Sequence, residues 1–422
     1  MIPLTWKRAL AGLMLLLMLF GLAACGSSSP TGESPSSGAS EAEKQPAGAA
    51  PETAAPQPPQ PKENGMYMTQ TERVGVCTNT DKKGYGDFSD FLALAGPFAI
   101  TPGFNEKLVS QGMDRSEETG NIYISGYFKR TEDNPFTLGE NPTTVAVLNA
   151  EGEFIAEYVM YKADGSAFTS HMGGVAVSED TLYVSADQGE DGDGDTTYWI
   201  AAIPLEELVT EGHQKVTIHT LYQVPVQPSF LNYSNGTLWV GNFYLSSKAA
   251  YAPPVDLGTT KGEGETFGAY VLGYDLSEKG AGRMETLDGE LYAMPDADKF
   301  YAVTNRIQGM TMLADGSIVL SRSYGRKNNS ELLAYDPSQA PVQIVSLNGR
   351  EYDCVLLEES CQLFAYTMMP MSEGITVRSA EGGEELLILY ESGAAIYDGD
   401  GTYDRETGIY RTDYVWRFPI GG

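Results

Sequence analysis

The sequence predicts an all-β chain, a β-propeller of about five blades with a sixth left open. Three observations predict it. A short phrase recurs five times: a polar residue, a small or apolar residue that is usually Gly, apolar pairs, a turn, then an alternating apolar strand. The composition, with 47 Gly and 25 Tyr in 422 residues, leans towards strands and turns. Helical periodicity is scarce, with Leu205–Val209 the one short candidate.

The chain opens with a targeting pattern. Lys7 and Arg8 precede an apolar run from Leu10 to Leu22. That run is about 13 residues, short of the roughly 20 needed to span a bilayer. It ends in Leu22-Ala23-Ala24-Cys25-Gly26, which resembles the lipobox of bacterial lipoproteins. The resemblance implies a signal peptide over 1–24, lipidation of Cys25 and anchoring on the extracytoplasmic face of a bacterial membrane. An ordinary secretory signal with an incidental Cys is the alternative, and it too exports the chain.

Residues 25–65 are expected to be the lipid anchor and a disordered linker. The segment is built from Ser, Pro, Ala, Gly, Glu and Gln without an aromatic residue, too little apolar surface to offset its ordering entropy. As a flexible coil it spans about 35 Å, more with its prolines extended. Residues 66–422 are expected to form the propeller domain, with 66–100 supplying a ring-closing strand or part of a sixth blade.

The five copies of the phrase begin at Gln111, His171, Ser229, Gln308 and Glu373, which lie 60, 58, 79 and 65 residues apart. Each reads as a β-hairpin. The turns Asn235-Gly236 and Asp315-Gly316 favour the type I′ geometry that matches strand twist. Further strands follow at Thr143–Asn149 and Glu331–Asp336. Three or four strands per repeat is propeller arithmetic, and the irregular period disfavours a solenoid.

From Gln111 to Tyr397 the chain resembles an uncharacterised family of secreted bacterial lipoproteins with six-bladed-propeller-like folds. The phrases carrying this are Gln308-Gly309-Met310, Ser321–Asn328, Pro370–Gly374 and Tyr390–Ala394. The blade Gln308–Asp336 is also similar to one blade of the propeller-type glutaminyl cyclotransferases. It shares Gln-Gly, Asp-Gly, Ser-x-Tyr-Gly, Ser-x-Leu and Asp with them. That resemblance implies a cyclase-like acyl or amide transfer over about 30 residues of the chain.

The chemistry is expected at one mouth of the central channel. There the polar residue of each repeat, Gln111, His171, Ser229, Gln308 and Glu373, forms a ring of converging donors and acceptors. Glu373 and His171 are the acid/base candidates. Arg322, Tyr324 and Arg326 on a blade-connecting loop could hold a carboxylate or phosphate, or an internal salt bridge, and Glu391 could line the same mouth. The alternative is that the ring only hydrates a water-filled channel.

Asp187, Asp191, Asp193 and Asp195 alternate with Gly in a loop that resembles the start of a calcium site, or form a solvated acidic turn. Cys354 and Cys361, seven residues apart, could form a disulfide across a short hairpin, leaving Cys77 a lone thiol. With only His171, His213 and His219 and no metal-type Cys pair, a zinc site is not expected. The 27 Lys+Arg against 57 Asp+Glu, net charge −30, exclude nucleic acid as a partner.

Three functions fit these features. The first is a lipid-anchored propeller that binds a small molecule, a glycan or a protein through the channel mouth. The second is an enzyme, cyclase-like or acting on glycans, with Glu373 as acid/base. The third is an envelope scaffold with an inert channel.

Overall fold

The computed structural model describes residues 65–75, 87–128, 142–186, 189–190, 196–245, 260–261, 265–276, 284–287, 289–294, 296–347, 349–397 and 410–420. Its strands build a five-bladed β-propeller. Blade 1 runs outward from the axis through Leu108–Arg115, Ile122–Phe128, Thr144–Leu148 and Phe154–Lys162. Blade 2 comprises Val175–Val177, Thr181–Ser185, Thr196–Pro204 and Thr220–Val224. Blade 3 comprises Phe230–Ser234, Thr237–Gly241, Ala269–Asp275 and Lys299–Val303. Blade 4 comprises Ile307–Met312, Ile318–Arg322, Ser330–Tyr335 and Gln362–Met368.

Blade 5 closes the ring. Ser372–Ala380, Gly383–Tyr390 and Tyr414–Ile420 come from the end of the chain, and the outer strand Gly96–Ile100 from its beginning. The stretch before the first repeat therefore supplies a closing strand rather than a sixth blade. The segment 65–75 is strapped down by two carboxylates. Glu157 accepts from the N–H groups of Tyr67 and Met68, and Asp413 from those of Arg73, Val74 and Gly75.

Alternation along the strands buries side chains on both faces of most blades, and five apolar cores result, one between each neighbouring pair. Tyr158, Val175 and Ala201 belong to the core between blades 1 and 2, and Leu231, Tyr270 and Phe300 to the next. Trp239, Met310 and Tyr335 fill that between blades 3 and 4. Phe91, Trp416 and Leu332 sit between blades 4 and 5, and Leu108, Ile124 and Leu389 between blades 5 and 1.

The irregular spacing of the repeats has a structural cause. Between the third and fourth strands of blades 2, 3 and 4 the chain makes an excursion to the outer edge of the preceding blade. Gly212–Ile218 adds in parallel to blade 1. The hairpin of Met284–Leu287 and Gly289–Ala293 adds to blade 2, and that of Val342–Leu347 and Arg350–Leu356 to blade 3. The helix Ser89–Leu94 does the same for blade 4, with Phe91 stacked on Phe418 at 5.4 Å. Outer edges that would template aggregation are thereby occupied.

Three local expectations change. Asn235-Gly236 forms the expected tight turn, both residues having positive φ (51° and 72°). At Asp315-Gly316 only Gly316 is left-handed (φ 88°), and Leu313 and Ser317 close a three-residue loop instead. The helix candidate Leu205–Val209 is a single 3-10 turn, Leu205–Glu207. The disulfide is not formed. Cys354 and Cys361 are free buried thiols, because one lies on Arg350–Leu356, the inner strand of the hairpin added to blade 3, facing the core between blades 2 and 3, and the other faces the core between blades 3 and 4. Cys25 and Cys77 lie outside the described residues. Among the described residues no helix is long and apolar enough to cross a membrane.

Candidate functional site

The inner strands present the repeat's polar residues through a shared local device. A non-Gly residue in the left-handed region lies close to four of the five: Arg306 (φ 69°) and Met371 (68°) two residues before Gln308 and Glu373, Lys107 (69°) four before Gln111, and Met172 (45°) directly after His171. Such a conformation costs an L-residue about 1–2 kcal/mol. In three blades a β-bulge follows at the ring position, between Ser110 and Met113, Ile307 and Gly309, and Ser372 and Ile375. A bulge bends the strand and re-aims a side chain. The residues it re-aims are Gln111, Gln308 and Glu373.

The glycine after the polar residue serves a different purpose from a turn. A Cβ on Gly374 would lie 2.3 Å from the Met113 backbone N, one on Gly309 2.8 Å from that of Ile375, and one on Gly112 2.7 Å from that of Val175. A Cβ on Gly174 would meet Leu231 N at 2.5 Å in the same sense. The absent side chains let neighbouring inner strands touch backbone to backbone. In blade 3 this place belongs to Phe230, whose ring packs where a Cβ on Gly241 would stand.

Directly beneath the glycine layer the axis is filled. Asp114, three residues after Gln111 and fully buried, accepts four hydrogen bonds. Its Oδ2 takes the N–H groups of Val177 (3.0 Å) and Tyr233 (3.0 Å), and its Oδ1 the Asn232 amide (3.0 Å) and the Thr376 hydroxyl (3.2 Å). One carboxyl thus ties the inner strands of blades 1, 2, 3 and 5. Burial pushes its pKa up to about 7 from 3.8, against the lowering effect of its donors. The water-filled channel envisaged from sequence is occupied at this level by a hydrogen-bonded knot.

Above the glycine layer the mouth gathers a carboxyl pair. The hairpin register of blade 5 opposes Ser372 to Tyr390, so Glu373 and Glu391 share its open end. Glu373 is 4% exposed and accepts one long hydrogen bond, 3.4 Å from Gln308 Nε2. Glu391 Oε2 accepts from Tyr397 Oη at 2.7 Å and from Gln111 Nε2 at 3.3 Å. Burial, then the neighbouring Glu391 charge, hold the Glu373 pKa well above the usual carboxylate range. The Tyr127 phenol is pushed up by burial and by the same two carboxylates, while Arg326 opposes the shift. Arg326 lies over the Tyr397 ring at 4.8 Å.

The sequence candidates divide accordingly. Gln111, Gln308, Glu373, Glu391 and Arg326 come together. His171 is exposed at the rim, with its ring 4.8 Å from that of Tyr127. Ser229 is half-buried and donates its backbone N–H to Gly241 O. Arg322 is neutralised inside blade 4 by Glu331 (2.7 Å) and donates to Asn305 O (3.1 Å). Tyr324 is exposed, 6.0 Å from the Arg306 guanidinium.

Tyr127, Tyr397 and Asp114 were not singled out from sequence. Tyr397 follows Glu391 by six residues, three beyond the phrase Tyr390–Ala394. Asp114 belongs to a second polar register: the residue three after each ring position is Asp114, Asn232, Thr311 or Thr376 in four of the five copies. Among the described residues no three His, Cys, Asp or Glu side chains cluster as a metal requires. The proposed calcium ligands Asp187, Asp191, Asp193 and Asp195 lie outside the described residues.

No family model matches the chain, and no curated protein matches it. Solved structures share its architecture at a distance. The PQQ-bound aldose sugar dehydrogenase of Streptomyces coelicolor is 11% identical, with a TM-score of 0.38 over 73% of this chain and 95% of that one. An oxidoreductase (glucose dehydrogenase) of Thermus thermophilus is 12% identical, with a TM-score of 0.34 over 77% and 99%. The acylaminoacyl peptidase of Pyrococcus horikoshii is 9% identical, with a TM-score of 0.26 over 68% of this chain and 39% of that one. Likenesses this remote say nothing of function.

Proposed function

We propose that this is an extracytoplasmic β-propeller, lipid-anchored through Cys25, that binds a small polar molecule at the mouth holding Glu373 and Glu391. The observation that carries this reading is the thin hydrogen bonding of buried Glu373. A carboxyl group has about four acceptor sites, and this one receives a single long bond while facing a second carboxylate. Desolvating it so completely is unfavourable unless a further donor completes it. A ligand hydroxyl, amide or ammonium group meets that need. The exposed rings of His171 and Tyr324 offer flat faces at the rim, and Arg326 a positive charge.

A second reading is favoured by one observation. Burial and the Glu391 charge hold the Glu373 carboxyl above the usual range, the direction that suits a general acid, while its neighbour Glu391 is held by Tyr397 and Gln111. The blade similar to glutaminyl cyclotransferases supplies Gln308, the donor to Glu373. In this reading Glu373 is the acid/base of a cyclase-like transfer or a glycan hydrolysis.

The test is thermal melting of the full-length protein against amino acids, short peptides, cell-wall sugars, calcium and a chelator. A ligand at 100-fold above its Kd stabilises by about 2.7 kcal/mol. Binding at this mouth requires that Glu373→Gln abolish the shift while the unliganded protein still folds. A shift indifferent to Glu373→Gln overturns the site, and silence across the panel favours the scaffold. Product formation from the bound molecule, lost in Glu373→Gln, selects the enzyme.

A further inference from the structure

The inner strands end at a second mouth, on the far side of the Asp114 knot. A cavity of about 320 Å³ opens there. Its walls are the strand ends of blades 1, 3, 4 and 5, and its charged groups are Arg115, Arg378, Glu117 and Glu384. Three of these four charges are already placed. Arg378 is ion-paired with Glu385 and covers the Phe98 ring at 4.3 Å. Glu384 accepts the N–H of Ala314 (3.0 Å), and Glu117 is exposed to solvent.

Arg115 differs from these. Its side chain is half-buried, and among the described residues its guanidinium makes no ion pair and no hydrogen bond. Burial first, and the Arg378 charge second, depress its proton affinity, outweighing the opposing charges of Glu117 and Asp114. An anion seated beside it would offset both effects. At the cavity floor Thr311, 1% exposed, carries a hydroxyl that has no partner. Thr311 occupies in blade 4 the register position of Asp114, yet it is the one polar member of that register outside the knot's hydrogen bonds. An orphaned buried hydroxyl and a guanidinium without an ion pair or hydrogen bond thus line one concave space, and each calls for an oxygen-rich ligand.

We infer that this cavity is a second binding site, distinct from the Glu373 mouth, for a small hydroxylated monocarboxylate such as a sugar acid. A single negative charge matches the one uncommitted guanidinium. A dianion would meet Glu117 and Glu384 in a strongly acidic protein. The hydroxyls of Ser234, Thr311 and Ser379 suit hydroxyl groups on the ligand, and the volume, at the small end of ligand sites, suits about six carbons.

The test is isothermal titration of the full-length protein with sodium glucuronate, with glucose and inorganic phosphate as comparisons. Saturable one-to-one binding of glucuronate at millimolar or tighter affinity is expected, with glucose and phosphate much weaker. Arg115→Gln should weaken glucuronate by about tenfold or more, and Thr311→Val by several-fold. Glu373→Gln should leave it unchanged, which separates this site from the other mouth. Should Arg115→Gln not fold, Thr311→Val, which only removes an unpartnered hydroxyl, carries the test. No saturable binding, equal binding of glucose or phosphate, or affinity indifferent to both cavity variants overturns the inference.

Discussion

Asp114 and Glu373 are both buried carboxyl groups on the inner strands of adjacent blades, one glycine layer apart along the axis. Burial raises the proton affinity of both. Asp114 nevertheless receives four donors from three other blades, whereas Glu373 receives one long bond and confronts Glu391. The difference teaches that burial alone does not separate a structural carboxylate from one available for chemistry. The supply of donors does. The first group is completed by the fold, and the second requires something the fold does not provide.

Removing the completed group should have the largest effect. Asp114→Ala leaves four donors unpaired at the axis, and chemical denaturation should show a loss of about 3–5 kcal/mol, since each orphaned buried donor costs about 1–3 kcal/mol. Asp114→Asn keeps half the acceptors and should lose less. If Asp114→Ala costs no more than Glu373→Ala, the contrast fails. Gly374→Ala attacks the layer between the two groups. With its Cβ 2.3 Å from Met113 N the blades must part, at a cost of about 3 kcal/mol.

The pH dependence follows from the two raised pKa values. Well below pH 4 both groups are protonated whether folded or unfolded. As pH rises through the ordinary carboxylate range the unfolded chain releases its protons while the folded protein retains them. Stability therefore falls between the ordinary value, 3.8 for Asp114, and its folded value of about 7. Denaturation midpoints across this range should slope downward, and Asp114→Asn and Glu373→Gln should each flatten part of the slope.

Glu373→Gln should by itself raise stability at neutral pH by about 1 kcal/mol, because a neutral side chain of the same shape escapes the cost of burying a carboxyl beside Glu391. A marked loss would show that Glu373 is structural after all. The smallest effect concerns burial with no chemistry attached. The Cys354 thiol is pushed up to about 12 by burial, so thiol reagents at neutral pH should label it only in unfolded protein.

Much of the architecture was legible in the sequence because it rests on local rules. Asn235-Gly236 makes its turn within four residues, and the alternation in Thr143–Asn149 or Glu331–Asp336 marks a strand from its own side chains. The ring phrase was legible because its glycines answer a steric demand that recurs in four of the five copies. The site was legible where the repeat phase marks it, at Gln111, Gln308 and Glu373, and where one hairpin builds it, since Glu373 and Glu391 meet through a single turn. Tyr127 comes from another blade and Tyr397 from a loop after the repeat, and no spacing along the chain records their convergence. Asp114 was hidden for a related reason. A lone acid in an apolar strand reveals its partners only when four blades are placed around it. The disulfide failed on the same ground, since seven residues of sequence separation span two different blades.

The pairing of Gly96–Ile100 with Tyr414–Ile420 has a consequence in time. The strand that completes the ring is synthesised before every other strand among the described residues, and the one it must join comes after all of them. Blade 5 therefore stays unfinished until Tyr414–Ile420 emerges, and the apolar faces of Leu387 and Leu389 remain uncovered until then. Such distant pairing slows folding, and the waiting chain is exposed to misassembly. A chain cut before Tyr414 would lose the seam of the whole ring, so deletions that remove Tyr414–Ile420 should behave as all-or-none lesions.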